Sequence, residues 1–110
     1  MVVGTTIFKM DGNDFFSPQF PRGGLAATFA IDVTHVVDTP DVTVTIQTRN
    51  SEDTSWTDLG TFSTITATGQ FQKDLADLKE IVRFKYAFAA GDNATAGIHF
   101  LMQPPSWRPY

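Results

Sequence analysis

His35 and His99 are the only imidazoles of this chain. An imidazole can hold a transition metal or move a proton, but either role needs companions brought to it. No carboxylate stands at a recognised ligand spacing from either histidine, so both read as surface or half-buried polar residues of strands. The acids Asp11, Asp14, Asp38, Asp41, Glu52, Asp53 and Asp92 fall mostly in turn-forming stretches, where aspartate serves its own backbone. A general acid–base pair is therefore unsupported. Asp11-Gly12-Asn13-Asp14 puts oxygen ligands on a turn, as calcium prefers, yet lacks the length and closing glutamate of a calcium loop. No Gly-x-Ser-x-Gly elbow and no phosphate loop occurs among the many serines and threonines. With no cysteine, disulfides, thiolate metal sites and a thiol nucleophile are excluded. The residues point to no enzyme, no metal, no cofactor and no small-molecule substrate.

Aromatic side chains offer a different chemistry. Trp56 and Tyr86, if both lay on an outer sheet face, could stack on a sugar ring. Turned inward at the start of a strand, Trp56 would instead fill the core, the favoured reading because large aromatics usually supply core area.

The elements that must position these residues are strands. In IVRFKYAFAA, residues 81–90, Val82, Phe84, Tyr86 and Phe88 alternate with Arg83, Lys85, Ala87 and Ala89. Successive side chains of a strand face opposite ways, so one face is aromatic and the other cationic and solvated. Leu25 to Val37 is the longest strand of this kind, with Phe29, Ile31, Val33 and His35 on one parity. Val42 to Arg49 alternates β-branched and polar residues, which disfavours helix. Further strands are expected at Thr5–Met10, Trp56–Ile65, Gln70–Leu75 and Ala96–Gln103. Leu75 and Leu78, three apart in KDLADLK, suggest one short helical turn near Leu75–Glu80. The expected fold is all-β: a single antiparallel β-sandwich, jelly-roll or discoidin-like, of seven to eight strands. Its core should include Phe29, Ile31, Val44, Ile46, Phe62, Val82, Phe84, Phe88 and Phe100.

At 110 residues the chain is one domain. Residues 1–103 form the sandwich, with an irregular aromatic loop at 11–24, and 104–110 form a proline-rich tail that should stay outside the sheets. Basic residues number 8 and acidic residues 12, giving a net charge of −4 with no run of either sign. A duplex-binding protein needs a basic footprint, so nucleic acid is not an expected partner, nor is an anionic membrane surface. MVVGTTIFKM lacks the pattern of a signal peptide, and no apolar run approaches the roughly 18 residues that span a bilayer. Asn93-Ala94-Thr95 matches a glycosylation sequon and, without a secretion signal, reads as unmodified.

Across residues 45–88 the chain carries W-x-x-L-G-x-F and then L-x-x-L-K-x-x-V-R-[FY]-x-Y. The matching residues are Trp56, Leu59, Gly60, Phe62, Leu75, Leu78, Lys79, Val82, Arg83, Phe84 and Tyr86. This pattern resembles one in β-sandwich structural proteins of tailed bacteriophages. The resemblance implies a virion protein of the head decoration or auxiliary type, made in the host cytoplasm. It implies the major capsid protein as partner and a homo-oligomer, with a trimer favoured. Carbohydrate-binding modules share part of the pattern, and a tail or baseplate component is a further alternative.

Two segments lie outside the alternating pattern. FFSPQFPRGG, residues 15–24, and PPSWRPY, residues 104–110, combine stiffening prolines with aromatics and arginines. Phe16, Phe20, Arg22, Trp107, Arg108 and Tyr110 are therefore expected to contact a neighbouring subunit or the capsid. The alternative is that both segments fold back and cap this domain's own core.

Overall fold

The computed structural model describes residues 3–8, 14–38, 40–89, 95–103 and 105–109. Ten strands run through them: β1 (Val3–Phe8), β2 (Phe15–Phe16), β3 (Phe20–Pro21), β4 (Ala26–Val37), β5 (Val42–Arg49), β6 (Thr57–Thr61), β7 (Gly69–Leu75), β8 (Ile81–Phe88), β9 (Gly97–Met102) and β10 (Ser106–Arg108). The calcium-like turn at residues 11–13, Asn93 and Ala94 of the sequon, and Tyr110 lie outside the described residues.

Two antiparallel sheets face each other. In the first, the order is β1-β9-β4-β10, with β7 also on β4. In the second it is β2-β8-β5-β6, with β3 also on β8. These are called sheet A and sheet B below. Two pairs of short strands are interrupted single strands. Phe15 and Phe16 lie against Tyr86 and Lys85, and Phe20 and Pro21 continue along β8 against Val82 and Ile81. Likewise β9 ends with Met102 opposite Ile31, and β10 resumes along β4 with Ser106 opposite Thr28. Eight strand positions remain, and the pairs β1·β9, β2/β3·β8, β4·β7 and β5·β6 nest first with last. That nesting is a jelly roll.

The core fills the space between the inner faces. Phe29, Ile31, Phe100 and Met102 of sheet A meet Val44, Ile46, Val82 and Phe84 of sheet B, all buried. Phe29 and Phe84 meet edge to face across the sandwich, with centroids 5.8 Å apart. Of the expected core set, Phe88 is only half-buried and packs against the others.

Several expectations need correction. No helical turn forms at Leu75–Glu80: Lys73 to Leu75 pair with β4, and Asp77 adopts a left-handed φ of 61°. A residue in that region cannot continue a right-handed turn. Leu78 instead sends its N–H to the Leu25 carbonyl at 3.0 Å and buries its side chain. The tail does join a sheet, since Ser106–Arg108 sit between prolines rather than replacing ladder donors with them.

The irregular loop is likewise partly stranded. At its break, Ser17 donates its N–H to the Phe84 carbonyl at 2.9 Å, and its hydroxyl accepts the Phe84 N–H at 2.8 Å. The side chain thus completes the ladder where Pro18 interrupts it. The strand expected over Trp56–Ile65 stops at Thr61, but Phe62 and Ile65 still bond β5 through Val44 and Val42.

Candidate functional site

The outer face of sheet B is built from the odd residues of β5 and β8 and the edges beside them. Gln47 lies opposite Arg83 in the ladder, Phe16 is near them on β2, and Asp58 lies opposite Gln47 on β6. A bulge decides the last placement. Gly60 sits opposite buried Ile46, so strict alternation would turn Asp58 toward the core. The extra residue, Leu59, returns Asp58 to the outer face and packs its own side chain against the core.

These residues lock together. The Arg83 Nε–H donates to Gln47 Oε1 at 2.8 Å, and Gln47 Nε2 donates to Asp58 Oδ1 at 2.7 Å. The Arg83 guanidinium carbon lies 4.2 Å from the Phe16 ring centre and 4.3 Å from that of Trp56. Phe16 approaches from the β2 edge and Trp56 from the β6 side, so the cation lies between them. Arg49 reaches over the same indole at 5.0 Å. Its Nη1 also donates to the carbonyls of Asn50, Ser51 and Asp53, which fixes the loop that delivers Trp56. Lys79 also pairs with Asp53 of that loop at 3.8 Å.

Partial burial, and then the like charge of Arg49, lower the Arg83 pKa from its ordinary value. The guanidinium stays charged at neutral pH. The neighbouring acids are committed elsewhere. Asp14 pairs with Lys85 at 3.5 Å, Asp53 with Lys79, and Asp58 with Gln47. Phe16 stays 48 % exposed, so one side of the stack opens to solvent.

The residues expected at an interface are divided by the fold. Phe16 takes its place in the outer stack. Phe20 is buried, 5.5 Å from Phe84 and 6.3 Å from Trp107. Trp107, half-buried, packs on Phe29 as well. Arg22 donates through Nη1 to the Leu78 carbonyl, and Arg108 to Thr28 Oγ1 at 2.8 Å. The aromatic loop and the tail are thus brought together. A Cβ on Gly23 would stand 2.7 Å from the Trp107 ring, and one on Gly24 would strike the Arg108 carbonyl. Only glycine lets the tail lie this close.

Trp56 corrects its favoured reading: it lies on the outer face, not in the core. Tyr86, its supposed companion on a sugar platform, faces inward onto Phe100 at 4.8 Å. His35 also departs from its parity, while His99 keeps the outward side that alternation with Ile98 and Phe100 implies. A register shift between Val33 and His35 turns His35 outward, directly opposite His99, although the two stand far apart in the chain. Among the described residues no group of three or more histidines, aspartates and glutamates could hold a metal. Comparison with protein-family models, curated proteins and solved structures finds no match to this chain.

Proposed function

We propose that the chain is a non-enzymatic structural protein of a tailed-phage particle, docking on the outside of the capsid through the outer face of sheet B and reinforcing it. The observation that carries the reading is the solvent-facing stack of Phe16, Arg83 and Trp56 on a rigid sheet. Interfaces concentrate their energy in a few aromatics and arginines, and groups held in place beforehand lose little entropy on docking. The sequence resemblance supplies the partner, the major capsid protein. It also supplies the trimer favoured as the assembly, because decoration proteins commonly sit at threefold junctions. The motif residues divide accordingly. Leu59, Phe62, Leu75, Leu78, Val82, Phe84 and Tyr86 build or border the core, while Trp56 and Arg83 meet on the surface.

The test is co-sedimentation of the purified chain with empty capsids of the particle whose genes adjoin its own. Saturable binding that Trp56→Ala weakens, with the fold intact, is the expected result. Binding to tails and not to heads would move the protein along the particle. Retention on immobilised polysaccharide without capsid binding would replace the reading with a sugar-binding module. Sedimentation velocity reads the oligomer directly.

A further inference from the structure

We infer that Arg83 is the cationic half of a carboxylate clamp: held between Phe16 and Trp56 and fixed through Nε, it offers both Nη nitrogens to an aspartate or glutamate side chain of a partner protein. The inference rests on the docking reading for the source of the carboxylate. Its chemistry comes from the side chains themselves.

A guanidinium has five N–H donors in a planar fork. Gln47 takes the one at Nε at 2.8 Å, and among the described residues no acceptor engages those on Nη1 and Nη2. Rings from the β2 and β6 sides limit the guanidinium's freedom. The Gln47–Asp58 bond at 2.7 Å in turn sets the amide that holds Nε. The fork is therefore aimed before any ligand arrives, which is the condition under which bidentate pairing with a planar oxyanion is strongest.

Charge complementarity names the ligand. Arg83 has no carboxylate partner among the described residues, and the like charge of Arg49 lies across the same indole. An added anion between them relieves that repulsion. The anion is a single carboxylate rather than a nucleic-acid backbone. Asp14, Asp53 and Asp58 flank the site, and the whole chain carries a net charge of −4, so a string of phosphates would be repelled. One isolated side chain from an acidic protein surface avoids that cost.

The experiment has two arms. In the first, the isotope-labelled chain is titrated at low salt with a capped peptide carrying a single glutamate between glycines, with inorganic phosphate as the comparison anion. The Arg83 Nε–Hε and Trp56 indole signals should shift, while the indole of Trp107 stays still. Arg83→Lys keeps the charge and loses the fork, and should weaken peptide binding about ten-fold or more, the worth of one lost charge-assisted hydrogen bond. Trp56→Leu, which removes one wall, should weaken it less. Unchanged signal dispersion in both variants certifies the fold. No shift at Arg83, equal binding by Arg83→Lys, or a response to phosphate and not to the peptide each overturns the clamp.

In the second arm, capsid co-sedimentation is repeated with Arg83→Lys. Capsid binding equal to that of the natural chain overturns the clamp and leaves docking intact. Peptide binding without capsid binding removes the capsid as partner and leaves the clamp.

Discussion

The two faces of β8 use aromatic rings in opposite ways. Inward, Phe84 meets Phe20 and Phe29, and Tyr86 meets Phe100, so rings touch rings in a dry interior. Outward, one residue away, Arg83 lies between Phe16 and Trp56, so rings touch a cation and water. The inner contacts remove large apolar areas from water, the dominant favourable term in folding. The outer ones contribute only about 0.5–1 kcal/mol each at an exposed site. The inner rings thus stabilise this fold, and the outer ones are available for something else.

That division can be broken most severely at Phe84. Truncation to alanine should cost about 3–5 kcal/mol, out of the roughly 5–15 kcal/mol a domain of this kind possesses. Urea unfolding measures it, and a loss below about 1 kcal/mol would show that the inner cluster is not the source of stability.

Trp107 sharpens the boundary, because it is half-buried and reaches the same cluster from the tail. Trp107→Ala should destabilise by about 2–3 kcal/mol, less than full burial would give. The melting temperature should fall by roughly 10 °C. A melting temperature unmoved by the substitution would free the tail for external contact.

Ser17 connects the two faces through the backbone. Ser17→Ala leaves the buried Phe84 N–H without its acceptor and should cost about 1–2 kcal/mol in the same unfolding measurement. If stability is unaffected, the side chain does not complete the ladder.

Tyr86 carries a buried hydroxyl with no hydrogen-bond partner among the described residues, so Tyr86→Phe should stabilise by about 1 kcal/mol. The hydroxyl also has a pH signature. Burial raises its folded pKa above the ordinary 10.0. The unfolded chain therefore releases this proton first, so this ionisation leaves the fold unpenalised below about pH 10 and lowers its stability as pH rises toward the folded value. Tyr86→Phe should flatten that alkaline loss in denaturation curves taken between about pH 9 and 11. Equal slopes for both proteins would place the hydroxyl in contact with water.

The smallest expected effect belongs to the outer face. Trp56→Ala should change stability by less than about 1 kcal/mol while weakening capsid co-sedimentation. A loss comparable to that of Phe84→Ala would erase the contrast between the faces.

Much of the interior was legible from alternation, because inner and outer residues of β4, β5 and β8 differ in polarity at a period of two. What escaped has particular causes. Bulges break parity, and no local pattern announces the shift that turns His35 outward or the extra residue at Leu59. Prolines hid β3 and β10, since a broken strand against one neighbour tolerates residues a continuous central strand rejects. Leu75 and Leu78 imitated a helical turn, and only the left-handed Asp77 separates them. The Phe16–Arg83–Trp56 stack draws on separate stretches of chain, so spacing could not show it. One half was nonetheless visible: Arg83 stands on the cationic parity of β8, and the motif contains both Arg83 and Trp56.

The break at Ser17 also bears on how many copies can coexist at close quarters. An open sheet border invites another chain to add a strand and polymerise. Here the border beside β8 offers Phe15–Phe16 and Phe20–Pro21, two residues each, with Pro18 between them, Pro21 ending the second, and the Ser17 hydroxyl turned inward to Phe84. A neighbour's strand finds no continuous row of donors and acceptors along this border. Copies crowded side by side would be guarded along this border against zipping into fibres.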